Sequence, residues 1–225
     1  TNGTYMLLVG PYGHRHKLNL NDHILVGRTG FSVNRFDYGL SEEMGHRQSM
    51  EDSCAIVQHL NVPKLSRRGL APQSFFGVFD GHGGPYASIY LAQYLHVNVA
   101  EALAEVAPEL LSIFNGMDAS EQPTKSEEDT AEPGGARRAK ERLDEIVESA
   151  LKRAFLKTDD DFITTSEHAQ NGSTSTTALM IGQRLYCANV GDSRTILCRN
   201  FQAVPLSRDH KPSVEEEAKR IKDAG

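Results

Sequence analysis

The sequence predicts an α+β domain in which antiparallel sheets are covered by helices. Strand-like runs come in groups separated by helix-length apolar stripes, not in strict βαβ alternation. Two β-rich runs, 176–181 and 184–190, are joined by Gly182-Gln183, a two-residue hairpin turn. Two further segments carry apolar residues at the 3.6-residue period of a helix and need a sheet to cover.

Residues 1–34 mix Gly, His, Asn and short apolar pieces without sustained periodicity, and are expected to pack on a domain as an extension. Residues 36–41 alternate and 54–57 are an apolar run, so two strands are expected to flank the polar turn 43–49. Residues 74–79 form a buried-strand run that stops at Asp80-Gly81, a turn signal. A helix follows. Pro85 suits its first position, and Ala87, Leu91, Tyr94, Leu95, Val99, Ala102, Leu103 and Val106 hold one stripe until Pro108 is expected to stop it. Residues 117–135 are rich in Glu, Ser, Thr, Pro and Gly and read as a mobile surface insertion. A second helix is expected over 137–158, with Leu143, Ile146, Val147, Ala150, Leu151, Ala154 and Phe155 on one face. After the hairpin, 195–199 is a further strand, and Ser213 with Glu216 reads as a capping box for a last helix that Gly225 ends.

Composition narrows the function classes. The chain has 225 residues, 39% hydrophobic and 24% charged, enough to bury roughly 70% of the surface that the unfolded chain exposes. Three cysteines, Cys54, Cys187 and Cys198, lie in apolar stretches; free thiols and a reducing compartment, cytoplasmic or nuclear, are expected. No apolar run reaches membrane-span length. The net charge is −6, of which residues 120–132 carry −4, five acidic groups against Lys125. No basic stripe of a nucleic-acid binder is present.

Three segments carry chemistry. Arg47 with Glu51 and Asp52 places a guanidinium and two carboxylates at the entrance to a strand, although an exposed polar turn explains the same residues. Asp80, Gly81 and His82 stand at the end of an apolar strand, where a tight turn chosen for φ > 0 is the competing explanation. Asp192, in Gly191-Asp192-Ser193-Arg194, is another strand-end aspartate, or a hairpin corner. Together they describe a site for a hard cation such as Mg²⁺ or Mn²⁺, which takes carboxylate and carbonyl oxygens. Zinc is disfavoured, since no CxxC or HExxH occurs. There is no G-x-S-x-G elbow and no P-loop, and residues 172–176 (GSTST) read as small residues entering a tightly packed strand.

In this order, RQSMED (47–52), FFGVFDGHGG (75–84), GSTST (172–176), ANVGDSR (188–194) and LSRDHKPSVEEEAKRIKDAG (206–225) resemble the successive motifs of the metal-dependent type 2C protein phosphatases, the PPM family. The resemblance covers about 36–225 and identifies 35–225 as the N-terminal part of the catalytic domain. It implies a β-sandwich of two antiparallel sheets with helices on both outer faces, incomplete in this chain. It also implies a Ser/Thr phosphatase that acts on phosphoproteins as a monomer, with two Mg²⁺ or Mn²⁺ ions and a third held more weakly. On the same resemblance Asp80 bridges the two ions, the Gly81 carbonyl is a ligand, and Glu51 and Asp52 hold metal directly or through water. Asp192 serves the further ion, Arg47 grips the substrate phosphate and His82 is the general acid. Two later family aspartates, one in an Asp-Gly and one in an Asp-Asn pair beyond a segment like 219–225, are not in this sequence. Near-inactivity of these 225 residues alone is therefore expected, and the alternative is a relative that binds phosphoproteins without hydrolysis.

Overall fold

The computed structural model describes residues 4–8, 15–18, 23–26, 29–32, 35–65, 70–120 and 133–225. In chain order these form β1 (Thr4–Leu8), β2 (Arg15–Leu18), β3 (His23–Val26), β4 (Thr29–Ser32), β5 (Arg35–Gly39), β6 (Ser53–Val57), β7 (Gln73–Phe79), the short β8 (Gly81–His82), helices α1 (Tyr86–Ser120) and α2 (Pro133–Thr165), the short β9 (Gly172–Ser173), β10 (Ser175–Ile181), β11 (Arg184–Val190), β12 (Thr195–Arg199), β13 (Gln202–Pro205) and α3 (Glu215–Ala224). A six-stranded sheet runs β2-β1-β11-β10-β7-β6 and a five-stranded sheet runs β13-β12-β3-β4-β5. The pairings are antiparallel except for β1 beside β11.

Period-2 alternation divides the six-stranded sheet into two faces. Phe75 and Phe79 of β7, Leu179 and Ile181 of β10 and Tyr186 of β11 point to one side, into a core shared with Leu95, Val99 and Leu103 of α1 and Leu143, Val147 and Ala150 of α2. Their neighbours Phe76, Ala178, Met180, Leu185 and Cys187 point the other way and pack with Leu197 of β12 and Leu206. The result is a helix pair on one sheet and a second sheet behind it. Thr176 and Thr195 join the two sheets through a buried hydroxyl–hydroxyl bond of 2.7 Å. α2 is also pinned to the sheet by a polar contact: Asp144 Oδ1, almost fully buried, accepts from Arg184 Nη1 at 2.6 Å and from Tyr186 Oη at 3.0 Å. α3 buries no side chain.

Several expectations change. Residues 1–34 do not merely rest on a domain, because β1 extends the six-stranded sheet and β3 and β4 lie inside the five-stranded one. These strands have only four or five residues, too few to show alternation in the sequence. Pro108 does not stop α1, which runs on to Ser120. A proline inside a helix costs about 3 kcal/mol; Ala107 and Leu110 on either side are 0% and 1% exposed in the core shared with α2, and that burial offsets the lost bond. Tyr94, placed on the inward stripe, is 46% exposed. The expected insertion overlaps helical residues 117–120 and 133–135, and its remainder, 121–132, lies outside the described residues. The Ser213 capping box does not form. Val214 takes the N-cap without a side-chain bond, and Glu216 pairs with Arg208 at 2.8 Å. The three glutamates of the first turn suit the positive end of the helix dipole. Gly225 ends the helix at φ +107° as expected. The three cysteines are free thiols.

Asp144→Ala removes the acceptor that Arg184 and Tyr186 share, leaving a half-buried cation and a buried hydroxyl without it. We expect a loss of about 3 kcal/mol, read as a lower urea midpoint with an unchanged slope, while Lys140→Ala on the same helix changes the midpoint little.

Candidate active site

The site is built at the edge where β7 and β11 end and β10 begins. Asp80 follows the last residue of β7. Its N–H donates to Thr174 Oγ1 at 3.2 Å and its carbonyl accepts from the Thr174 N–H at 2.9 Å and from Ser173 Oγ at 3.2 Å. The N–H and carbonyl of Asp80 are thus both held by the residues that lead into β10.

Gly81 brings in the next segment. It is buried, and a Cβ there would overlap the Glu51 carbonyl and lie 2.9 Å from Ser88 Oγ. Ser88, in the first turn of α1, donates to that Glu51 carbonyl and contacts the Pro85 carbonyl at 2.9 Å. Only glycine permits this approach, which draws Glu51 and Asp52 to the end of β7. Asp52 then stands beside Asp80.

Asp192 arrives from β11. Gly191 turns the chain at φ +88°, with no room for a Cβ against Thr174 Cγ2 at 2.8 Å. Thr174 Oγ1 and Ser193 Oγ share a bond of 2.6 Å. The segment 206–211 clasps this turn from outside: the His210 N–H donates to the Gly191 carbonyl at 2.9 Å, the Arg194 guanidinium grips Asp209 at 2.9 and 2.8 Å, and Lys211 Nζ lies 3.2 Å from Asp209 and 3.6 Å from Asp192. The two cations hold the Asp209 carboxyl below the usual carboxylate range, led by the hydrogen bonds from Arg194.

These groups act on one another electrostatically. Partial withdrawal from water raises the Asp80 pKa first, the charges of Asp52 and Asp192 raise it further, Arg47 opposes the shift, and a hydrogen bond with Asp52 adds to it. Three of the residues picked out in the sequence, Arg47, Asp52 and Asp192, are therefore within electrostatic reach of a fourth, Asp80. Glu51 joins them through its backbone. His82 is exposed on β8, opposite Gly172 of β9.

A cavity of about 310 Å³ opens beside Asp80, bordered by Leu40, Glu42, Asp52, Cys54 and Arg194. Burial, followed by the charge of Glu42, pushes the Cys54 thiol up to about 11. It stays protonated near neutral pH, and the carboxylates of Glu42, Asp52 and Asp80 that line the same cavity offer oxygens, the donors that Mg²⁺ and Mn²⁺ prefer. Among the described residues no three Asp, Glu, His or Cys side chains close into a ready-made ligand shell. The donor chemistry and the crowded like charges fit a hard divalent cation.

Sequence reasoning did not pick out Thr174, Ser193, Asp209 and Lys211 as parts of the site. The runs GSTST and SRDHKP contain them, but their function is to hold backbone and charge in place, which no ligand-type pattern reveals.

A sequence model of the family described as Protein phosphatase 2C matches residues 36–133 and 96–225. The chain belongs to the protein phosphatase 2C family. It is 37% identical over 194 residues to "Probable protein phosphatase 2C 55" of Oryza sativa subsp. japonica, covering 85% of this chain and 39% of that protein. To "Probable protein phosphatase 2C 59" of Arabidopsis thaliana it is 36% identical over 204 residues, covering 89% of this chain and 51% of the relative. This family member thus spans about half of its relatives' length or less. Its fold is similar to that of serine-threonine phosphatase 2C from Toxoplasma gondii, with a TM-score of 0.55 and 24% identity over 81% of this chain and 52% of the other.

The upward shift of Asp80 has a consequence for stability. A carboxyl whose folded pKa lies above its unfolded value favours the folded state below the unfolded pKa, and this contribution is lost as pH rises through the folded pKa. At pH 7 in a chelating buffer Asp80→Asn should therefore melt higher than the wild type. The gain should shrink as pH falls through the folded-state pKa; a variant that melts lower at pH 7 would contradict the electrostatic picture.

Proposed function

We propose that the full-length protein hydrolyses phosphoserine and phosphothreonine in proteins with two Mg²⁺ or Mn²⁺ ions and without a phosphoenzyme. The observation that carries this reading is the convergence of Asp52, Asp80 and Asp192, with Arg47 opposing them, on one sheet edge of a phosphatase 2C chain. Asp80, the Gly81 carbonyl, Glu51 and Asp52 would hold the two ions, and Asp192 would help a third. When bound, such ions supply a water of lowered pKa and neutralise the phosphate.

The chain's own residues do the rest. Arg47 binds two phosphate oxygens with its planar guanidinium fork and orients the phosphorus for in-line attack. His82 gives a proton to the departing serine or threonine oxygen, which would otherwise leave as a poor alkoxide. The cavity between Leu40, Cys54 and Arg194 receives the substrate chain beside the phosphate. No helix among the described residues is long and apolar enough to cross a membrane, and the substrates we propose are phosphoproteins.

The second reading is binding of phosphoproteins without hydrolysis. It draws on one observation, the lack of a ready-made ligand shell among the described residues. Turnover separates the two. On a phosphothreonine peptide the full-length protein should be active with millimolar-range Mg²⁺ or Mn²⁺, since carboxylate-and-water sites hold these ions loosely, and inactive with a chelator. Asp80→Ala should lose metal binding by calorimetry together with activity. Binding of the peptide without phosphate release at any metal concentration would establish the second reading.

His82→Ala should cost about 10²- to 10⁴-fold on a phosphoserine peptide and much less on p-nitrophenyl phosphate, whose leaving group hardly needs a proton. Equal losses would assign His82 a structural role.

A further inference from the structure

Residues 82–86 lie zipped along residues 168–172 by contacts at three levels. At the first, His82 pairs with Gly172 across the β8–β9 ladder, and the tip of its ring rests where a side chain at 172 would begin. A Cβ on Gly172 would overlap His82 Nε2 and stand 2.7 Å from Cε1. At the second, Asn171 is 8% exposed and uses both ends of its amide. Nδ2 donates to the Gly83 carbonyl at 2.7 Å, and Oδ1 accepts from the Tyr86 N–H at 3.4 Å. Gly84 turns here at φ +126°, and a Cβ on it would come within 2.5 Å of Asn171 Oδ1. At the third, the Tyr86 and His168 rings stack with centroids 3.5 Å apart and planes 12° apart. The Asn171 N–H returns to the His168 carbonyl at 2.8 Å.

Asn171 and Gly172 carry no group suited to phosphate chemistry, yet both bear on the stretch that presents His82. An exposed imidazole is free to choose among rotamers. The missing Cβ beneath its tip makes room for this ring, and the buried Asn171 amide, bonded to Gly83 and Tyr86, fixes the backbone that follows it. A Cβ on Gly172 would meet the Nε2 side of this ring.

We propose that Gly172 and Asn171 are positioning residues for His82, Gly172 by the space it leaves under the imidazole tip and Asn171 by tying the 83–86 backbone to the chain that enters β9. The inference rests on the reading of His82 as the proton donor to the leaving oxygen. A displacement of about 1 Å at a reacting group can cost about 10²-fold. The leaving group makes that loss selective.

The test uses the full-length protein with Mn²⁺ and four forms: wild type, Gly172→Ala, His82→Ala and the double variant. Gly172→Ala should lose about 10- to 100-fold on a phosphoserine peptide and little on p-nitrophenyl phosphate, and it should cost nothing further once His82 is alanine. In metal-free protein, nuclear Overhauser contacts between the His82 ring and the Gly172 α-protons should be present in the wild type and absent in Gly172→Ala. Equal losses on both substrates, a full loss persisting in the His82→Ala background, or missing ring contacts in the wild type would each overturn the proposal. If Gly172→Ala fails to fold, the double variant should fold, because removing the ring removes the overlap; a double variant that also fails to fold overturns it. If His82→Ala costs the same on both substrates, the proton-donor reading fails, and the ring contacts still decide whether Gly172 seats the imidazole.

Discussion

The site hangs on the register of β10. That strand pairs on one side with β7, Thr176 opposite Val78, and on the other with β11, Thr176 opposite Asn189. Its entry, Thr174, therefore falls between Asp80 and the 191–193 turn, bonding the backbone of the first through its N–H and hydroxyl and Ser193 of the second through the same hydroxyl. A slip of one residue would turn every side chain of β10 to the opposite face. It would also bury Leu179 and Ile181 against the second sheet and part the two aspartates. Burial of alternate residues on both faces makes that slip expensive, so the hydrophobic layers indirectly hold charges that they never touch.

This arrangement sets two electrostatic tendencies side by side. Partial burial, then the charges of Asp52 and Asp192, raise the proton affinity of Asp80. A few ångströms outward, Asp209 is saturated by Arg194 and Lys211. Lys211 reaches Asp192 only at 3.6 Å, and Asp80 is left among like charges while Asp209 is paired by two cations. Asp209 is paired as structural carboxylates ordinarily are; crowding of the kind found at Asp80 is enriched at functional sites.

How much of this was legible in the sequence depended on the length scale of each signal. β7, β10 and β11 have seven residues each, long enough for buried runs and a hairpin turn to stand out. Asp80 and Asp192 could be picked out because each follows such a run, and Asp52 because it precedes the apolar run of β6. The strands of residues 4–32 are too short for period 2, and β13 shows only one partly buried position. The failure at Pro108 has a different origin: a local rule was outweighed by contacts with a helix that begins 25 residues later in the chain. Gly81 and Gly191 looked like turn residues, and Gly172 like a small residue entering a packed strand. What distinguishes them is the atom that would collide with a side chain, and that atom belongs to a segment distant in sequence.

The buried bond between Thr176 and Thr195 acquires significance from its neighbour. Thr174 and Ser193 make the same kind of bond two residues earlier on each strand, so two hydroxyl pairs form rungs between the entry of β10 and the entry of β12. Apolar side chains resist separation of two sheets, but they resist sliding poorly, since dispersion has no preferred direction along a smooth layer. Hydrogen bonds are directional. Two of them spaced along one line act against shear, and the edge they brace is the one that carries Asp80 and Asp192. The separation of those aspartates is therefore a mechanical property of the sandwich, stiff toward relative sheet motion even though each carboxylate sits on an open turn.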